Sequence, residues 1–254
     1  MSDIYIIDGV RTPIGAYLGQ YKKTESVELG TQCLLDLFQR NKKIATKDVE
    51  GLVLGQVLTS GLGMNTARQV ALKSGMSQSS FAYVVNQVCG SGMRAAIEAS
   101  LKIFTQESDL VVAGGQESMS RARHAYLSRT GEKKLGDNVF IDTLVHDGLT
   151  DAFSQEHMGI TAENVARKYN VTRQEQDQYA YGSYLKTYKA LKNKYFKNEL
   201  CKTNLKDEVR ADTTLTKLSQ LKPVFKKKGS VSAGNASSLN DGAAFLALAS
   251  SEYI

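Results

Sequence analysis

The sequence has few cysteines and lacks the segments that mark membrane or secreted proteins. Its three cysteines (Cys33, Cys89 and Cys201) are an odd number without CxxC spacing. This argues against a disulfide framework or a zinc site and favours a reducing compartment. No apolar run reaches the roughly 18 residues of a membrane-spanning helix. The N-terminus has no basic region, so it indicates a first strand and not a signal peptide. We therefore expect a cytoplasmic protein without a metal site or a membrane partner.

The charge of the chain is unevenly distributed. The net charge is +6, but residues 119–238 hold 21 Lys and Arg against 13 Asp and Glu, a net charge of +8. A basic segment of this kind indicates contact with an anion, for which nucleic acid and a phosphorylated cofactor are the candidates. A solvated, lysine-rich surface explains the same composition.

Strand-like and helix-like segments alternate over the first 118 residues. Four apolar runs are typical of buried strands: 4–7, 52–58, 81–85 and 110–113. Three segments between them carry apolar residues at helical spacing: 27–40, 65–73 and 90–104. This order predicts an α/β fold with a βαβαβ layered core and a largely buried parallel sheet.

The sequence changes character after Met119. Residues 120–156 are polar and irregular, which is too long for an ordinary connection. A capping box from Thr172 to Glu175 predicts a long polar helix that ends near Phe196. Five tyrosines along this helix are interpreted as packing residues: Tyr179, Tyr181, Tyr184, Tyr188 and Tyr195. The apolar stretch 243–249 predicts a last buried strand. The predicted domains are an α/β core of residues 1–118 and 239–254 and an inserted, mostly helical domain of residues 119–238.

The segment around Cys89 has the features of a reactive thiol. A strand leads through the turn Asn86-Gln-Val-Cys-Gly-Ser-Gly into a helix, and free N–H groups and the dipole at a helix N-terminus favour a thiolate. Gly90 and Gly92 have no Cβ that would keep a ligand from the backbone. The pattern predicts a nucleophile that accepts an acyl group, with the backbone N–H groups of Cys89 and Gly90 binding the oxyanion. A buried structural cysteine is the alternative.

The helix after Cys89 is expected to pack on the sheet through a single apolar face. Four residues at helical spacing define this face: Met93, Ile97, Leu101 and Phe104. Cys33 lies on the apolar face of its own helix and is expected in the core. Cys201 lies in a polar stretch and is given no role.

Six parts of the chain resemble motifs of the thiolase family, in the family's own order. They are Arg11-Thr-Pro-Ile-Gly, Asn86-Gln-Val-Cys-Gly-Ser-Gly-Met, Gly114-Gly-Gln-Glu-Ser-Met-Ser, Asp147-Gly-Leu-Thr-Asp-Ala-Phe, His157-Met-Gly-Ile-Thr-Ala-Glu-Asn, and Ala233-Gly-Asn-Ala-Ser with Asn240-Asp-Gly-Ala-Ala. The resemblance extends from about Asp8 to the last residue. It departs at Ser238, where the family usually has glycine. The resemblance implies a thiolase-like core with an inserted loop domain.

The resemblance also implies an activity, that of an acetyl-CoA C-acetyltransferase of fatty acid metabolism. Cys89 would take an acetyl group from acetyl-CoA, and a second acetyl-CoA, deprotonated at its methyl group, would attack the thioester. The products are acetoacetyl-CoA and coenzyme A, and thiolysis is the reverse reaction. Coenzyme A thioesters are thus expected as substrates, and no permanently bound cofactor or nucleic acid partner is expected.

By the same resemblance, several residues are expected to bind coenzyme A. Those around the pantetheine and acyl group are Leu149, His157, Met158, Ala233 and Ser237. Arg210 and Phe225 are expected near the nucleotide, whose phosphates would be the anion for the basic insert. For His157 a second interpretation stays open, because a histidine at a helix start can cap backbone groups.

Three motifs of the family do not occur in the 254 residues: Gly-His-Pro, Cys-x-Gly and Asn-Glu-x-Phe. In thiolases the first supplies the histidine that activates the nucleophile, and the second supplies the acid/base of the condensation. We therefore expect a truncated chain without turnover of its own, which forms a homo-oligomer (dimer or tetramer) or pairs with a separately encoded C-terminal half.

Two alternatives to the thiolase interpretation stay open. One is a non-catalytic remnant that binds coenzyme A or oligomerises. The other is a condensing enzyme of the ketoacyl synthase type, which shares the topology and the cysteine. The turn Cys89-Gly-Ser-Gly and the long basic insert favour a thiolase over a synthase.

Overall fold

The computed structural model of the chain describes residues 3–129 and 135–254. It divides into two compact units: residues 1–143, 198–207 and 240–254 form the first, and residues 144–197 and 208–239 form the second. The second unit is smaller than the predicted insert of residues 119–238, which includes residues 130–134 outside the described part. The boundaries of the functional domains stay a prediction.

The first unit contains a mixed sheet of six strands. The strands are β1 (Ile4–Arg11), β2 (Gly15–Ala16), β3 (Gly51–Gly55), β4 (Phe81–Val85), β5 (Leu110–Ser118) and β8 (Asn240–Ser250). Their order is β1-β8-β5-β3-β4, with β2 paired to β8. β3 is parallel to β4 and β5, as the strand–helix alternation predicts. β8 is antiparallel to all three of its partners, β1, β2 and β5, so the returning strand makes the sheet mixed. Two further strands, β6 (His124–Ala125) and β7 (Ile141–Asp142), form a small separate sheet.

Helices cover both faces of this sheet. On one face, α1 (Ser26–Arg40) and α2 (Thr66–Lys73) pack against strand residues such as Leu52 and Leu54. The α/β layering is therefore confirmed. The predicted helix start at Asn65 is also confirmed, because its side chain accepts a hydrogen bond from the Arg68 N–H at 3.1 Å. Cys33 is fully buried in this layer, as predicted.

The predicted packing face of the helix after Cys89 is wrong. α3 (Ser91–Phe104) contacts the other face of the sheet through its small residues Ala95 and Ala99, together with Ile103. The predicted face is exposed, and Met93 is 71% accessible. The backbones approach so closely that a Cβ at Gly55 would lie 2.6 Å from the Ser91 carbonyl carbon. Near Gly55 only small side chains fit between helix and sheet, whereas Ile103 packs near the C-terminal end of α3 and the four residues of the predicted face lie outside.

Within the first unit, Arg11 holds segment 198–207 against the end of β1. Arg11 belongs to the motif Arg11-Thr-Pro-Ile-Gly. The Arg11 guanidinium donates to both carboxylate oxygens of Asp207, at 2.7 and 3.1 Å, and to Glu199 at 2.7 Å. The two carboxylates outweigh the effect of burial and raise the pKa of Arg11. Asp207 also accepts from the Ile14 N–H at 2.7 Å. Arg11 thus fixes the chain path where segment 198–207 returns to the end of β1.

The second unit is mostly helical. Its helices are α5 (Met158–Lys168), α6 (Arg173–Lys192) and α7 (Leu215–Ser219), while α4 (Thr143–Gly148) spans the boundary between the units. The capping box is confirmed: the Thr172 N–H donates to Glu175 at 2.7 Å, and the Glu175 N–H donates to Thr172 Oγ1 at 3.2 Å. The helix ends at Lys192, before the predicted Phe196.

The predicted packing role is wrong for three of the five tyrosines, of which four lie on α6 and Tyr195 lies beyond its end. Tyr179 is 83% accessible, and Tyr188 and Tyr195 are also exposed. Tyr184 donates a hydrogen bond to the Gly234 carbonyl at 3.4 Å. Asp177 is the only fully buried residue of this helix, and Tyr181 and Tyr184 are half-buried, so α6 packs mainly through half-buried side chains. Within residues 3–129 and 135–254, no helix is long and apolar enough to cross a membrane.

Candidate active site and coenzyme A-binding residues

The Cys89 turn connects β4 to α3 in the first unit. Val88 has a left-handed backbone, with φ of 49°, which reverses the chain before the cysteine. The Gly90 N–H donates to the Gln87 carbonyl at 3.0 Å, and the Ser91 N–H donates to the Val88 carbonyl at 3.1 Å. Two successive reverse turns thus deliver the chain into the helix.

Ser91 fixes this turn, although it was not among the predicted site residues. Its buried hydroxyl donates to the Val88 carbonyl at 2.6 Å and accepts from the Gln87 N–H at 2.9 Å. These two bonds hold Gln87 and Val88, the two residues before Cys89. A serine directly after a Cys-Gly pair at a helix start is the signal that could have identified it.

Cys89 is exposed and directly precedes Gly90, the N-cap residue of α3. The thiol therefore lies at the helix N-terminus, as predicted, where free N–H groups and the helix dipole favour an anion. A Cβ at Gly92 would meet no atom within 4 Å, so the space beside this backbone is open. The Gly90 N–H already donates within the turn. The catalytic role of Cys89 and the oxyanion role of the two N–H groups stay predictions.

A second cluster of predicted residues lies in the second unit, around His157. The rings of His157 and Phe225 stack with centroids 4.8 Å apart and an interplanar angle of 24°. The Gly159 N–H donates to His157 Nδ1 at 3.0 Å, so His157 caps α5. Because Nδ1 accepts this bond, the neutral ring carries its proton on Nε2. His157 therefore combines the capping role that was left open with an aromatic contact.

Leu149 and Met158 adjoin this cluster. The Met158 N–H donates to the Leu149 carbonyl at 2.8 Å, and an antiparallel bridge joins Thr150 to His157. Leu149 is half-buried and Met158 is exposed. The structure thus brings together four of the predicted coenzyme A-binding residues, including His157 and Phe225.

The other three predicted coenzyme A-binding residues lie on exposed loops. Ala233 and Ser237 are exposed in the segment before β8. Arg210 is exposed, and its carbonyl accepts from Thr213 Oγ1 at 2.9 Å. Their side chains are accessible to a ligand, and their binding roles stay predictions.

Comparison with known proteins identifies the family. The family model described as "Thiolase, N-terminal domain" matches residues 4–252. The chain belongs to the thiolase family.

Relatives of known name agree with this family. The chain is 44% identical over 256 residues to a probable acetyl-CoA acetyltransferase of Escherichia coli (strain K12), covering 96% of the chain and 65% of the relative. It is 43% identical over 255 residues to an acetyl-CoA acetyltransferase of Paracoccus denitrificans, covering 96% and 65%. A probable acetyl-CoA acyltransferase of Staphylococcus aureus (strain COL) is 38% identical over 264 residues, covering 99% and 67%. The chain thus spans about two-thirds of the length of these thiolase relatives.

Two buried acids of this thiolase chain were not predicted. Glu163 on α5 and Asp177 on α6 are both less than 10% accessible. Burial raises the pKa of Glu163, but the N–H groups of Ser230 and Val231 outweigh this and hold the pKa below its ordinary value. Asp177 accepts from Arg173 Nε and from Asn235 Nδ2, both at 2.9 Å. Both acids contact the loop that precedes β8.

Proposed function

We propose that this chain supplies the acyl-accepting cysteine of a thiolase-type acyltransferase, an acetyl-CoA C-acetyltransferase with an acyl-Cys89 intermediate, and that its 254 residues alone do not turn over. The observation that carries the proposal is the exposed Cys89 at the N-terminus of α3, beside open backbone at Gly92. The names of the relatives, acetyl-CoA acetyltransferases and an acyltransferase, support the same reaction. Free thiols in the chain suit a reducing compartment, which supports a cytoplasmic enzyme.

The reaction has two half-reactions. In the first, the Cys89 thiolate attacks the carbonyl carbon of acetyl-CoA, the C–S bond to coenzyme A breaks, and coenzyme A leaves as a thiolate. In the second, a base removes a proton from the methyl group of another acetyl-CoA. The resulting carbanion attacks the acetyl-Cys89 thioester, a C–C bond forms, and Cys89 leaves as a thiolate with acetoacetyl-CoA as product. Thiolysis of acetoacetyl-CoA reverses these steps.

The second unit is proposed to bind coenzyme A through residues of different character. The stacked rings of His157 and Phe225 offer an aromatic surface, and the half-buried Leu149 adds apolar contact. Ala233 and Ser237 are proposed to contact the pantetheine, because both are exposed. Arg210 is proposed to contact a phosphate, for which a guanidinium is well suited.

Binding of coenzyme A tests this proposal by calorimetry. We expect binding that weakens as ionic strength rises, because the phosphates meet basic groups, and weaker binding of dephospho-CoA. Phe225→Leu is expected to weaken binding several-fold because the stacked ring is lost. Phe153→Leu is the matched control, since Phe153 is 97% accessible, and should bind like the parent protein. Failure of both ligands to bind at millimolar concentration would contradict the proposal.

A further inference from the structure

A hairpin precedes β8 in the second unit. Pro223 and Ser232 form an antiparallel bridge, and the Val224 N–H donates to the Val231 carbonyl at 3.0 Å. The connecting loop carries Phe225, the three lysines 226–228 and Gly229, whose N–H donates to the Lys226 carbonyl at 2.8 Å. We call residues 223–232 the binding hairpin, because it presents Phe225 to His157.

The binding hairpin is fixed by the carboxylate of Glu163, which is 7% accessible. Glu163 Oε1 accepts from the Val231 N–H at 2.8 Å and from the Ser230 N–H at 2.9 Å. Oε2 accepts from the same Ser230 N–H at 3.0 Å and from Ser230 Oγ at 3.3 Å. A Cβ at Gly229 would overlap the Glu163 carboxylate. The loop backbone therefore lies directly on this side chain.

The same face of α5 contacts Phe225. Gly159 lies four residues before Glu163, so the two residues lie on one face of the helix. A Cβ at Gly159 would overlap the Phe225 ring, which means that the ring packs directly on the helix backbone. α5 thus holds the binding hairpin at two points one turn apart, with His157 at the start of the same helix.

We infer that Glu163 is a positioning residue, which holds the binding hairpin so that Phe225 stacks on His157 and coenzyme A binds with full affinity. The inference rests on the proposed function, since coenzyme A is the ligand. Burying a carboxylate is unfavourable unless donors compensate it. Here the compensating donors are N–H groups of the hairpin, so the charge fixes the loop path directly.

The test compares Glu163→Gln with Glu156→Gln, which removes the same charge from an exposed position of the same unit. The amide retains the size of the side chain, but it carries no charge. Its NH2 group would face the N–H donors of the hairpin and cannot accept hydrogen bonds from them. We expect Glu163→Gln to bind coenzyme A about 10-fold more weakly by calorimetry, the value of one charge-assisted hydrogen bond. Glu156→Gln should bind like the parent protein.

Proton NMR of the histidine rings provides a readout that does not depend on coenzyme A. Stacking on Phe225 shifts the ring protons of His157, whereas the exposed His124 and His146 serve as internal references. In Glu163→Gln the His157 protons should move towards the position of an unstacked histidine. A change in stability alone would leave this shift in place below the melting temperature.

Each outcome decides one question. A folded Glu163→Gln variant with unchanged affinity or an unchanged His157 shift would overturn the inference. If the parent protein does not bind coenzyme A, the proposed function fails, while the His157 shift still decides whether Glu163 positions the hairpin. If Glu163→Gln does not fold, Gly229→Ala tests the same contact from the hairpin side, with the same expected loss and shift.

Discussion

The three cysteines differ in their access to solvent and in their surroundings. Cys89 is exposed at the start of α3, Cys33 is fully buried, and Cys201 is half-buried against the same core as Cys33. Burial and the nearby Cys201 raise the pKa of the Cys33 thiol well above its ordinary value. Cys33 is therefore a protonated thiol at neutral pH. Because alkylating reagents react with thiolates, Cys33 should react slowly.

We predict that iodoacetamide at limiting dose labels Cys89 before the other two cysteines and Cys33 last. The reason is the exposure of Cys89 combined with the helix N-terminus beside it. Peptide mass mapping of the time course measures the order. A Cys89→Ser variant is the control and should lose the fast phase of labelling. Faster labelling of Cys201 in the native protein would contradict the assignment of Cys89.

His157 shows what single residues can and cannot reveal in advance. The resemblance to thiolases implied ligand contact for His157, and its position before Met-Gly at a helix start offered helix capping as the alternative. The structure shows the capping bond to Gly159 and adds the stack on Phe225. That stack joins residues far apart in the sequence, and no local pattern predicts it.

The boundaries of the helices and strands were largely predictable from the sequence, but the packing of the helices on the sheet was not. α3 carries two apolar faces, and its sequence favoured the larger side chains of Met93 and Leu101. The sheet instead receives Ala95 and Ala99, because Gly55 allows the helix to approach too closely for large residues. Which face is buried thus depends on the distance between two elements, which hydrophobic periodicity does not contain.

Two glycines near the Cys89 turn test this account of close packing. A Cβ at Gly55 would lie 2.6–2.7 Å from backbone atoms of Ser91 and Gly92, whereas a Cβ at Gly92 would meet nothing within 4 Å. We predict that Gly55→Ala destabilises the protein by about 1–3 kcal/mol, as overpacking does. Gly92→Ala should be neutral or stabilise by up to about 1 kcal/mol, because alanine favours a helix. Urea unfolding measures both, and equal effects would contradict the close approach.

Contacts between residues far apart in the sequence could not be predicted for a similar reason. The stretch 243–249 was predicted as a buried strand, but its antiparallel place between β1 and β5 was not. Glu163 bonds to residues 67 and 68 positions away, although its own helix gives no sign of a partner. An acid within an amphipathic helix usually indicates a solvated face, and only the folded chain shows that this one is buried.

At the scale of the whole molecule, the exposed apolar face of α3 predicts self-association. Met93, Ile97, Leu101 and Phe104 are all at least 44% accessible, and β4 is an edge strand of the sheet. A contiguous apolar face of this kind is typical of an interaction surface. We propose a homo-oligomer, either a dimer or a tetramer.

Light scattering over a concentration series measures this association, and we expect dimers or larger species. Leu101→Glu places a charge on the exposed face without touching the residues that pack on the sheet, so it should favour the monomer and keep the fold. Gln39→Glu, at an exposed position of α1 on the opposite face of the sheet, controls for the added charge. A monomer at every concentration would exclude association through this surface.

The two half-reactions of the proposed mechanism require different catalytic groups. Acyl transfer to Cys89 needs a thiolate and oxyanion donors, and the helix N-terminus favours the first. Condensation also needs a base for a weakly acidic methyl group. Among the described residues, no hydrogen bond joins the Cys89 thiol to a histidine or a carboxylate, and no motif of the chain supplies the family's Gly-His-Pro or Cys-x-Gly residues. The two half-reactions therefore make different demands on these 254 residues.

We predict that the 254-residue polypeptide is slowly acetylated at Cys89 by acetyl-CoA but does not turn over. A general base contributes about 10²–10⁴-fold to a rate, and the missing motifs would supply two such groups, the activating histidine and the acid/base cysteine, so thiolysis of acetoacetyl-CoA should lie below detection. Intact mass spectrometry measures the acetylation, which Cys89→Ala should abolish, and the absorbance of acetoacetyl-CoA measures turnover. Adding a polypeptide that carries the Gly-His-Pro and Cys-x-Gly motifs should restore turnover. Rapid thiolysis by the 254-residue polypeptide alone, abolished by Cys89→Ala, would show that the base lies within these residues.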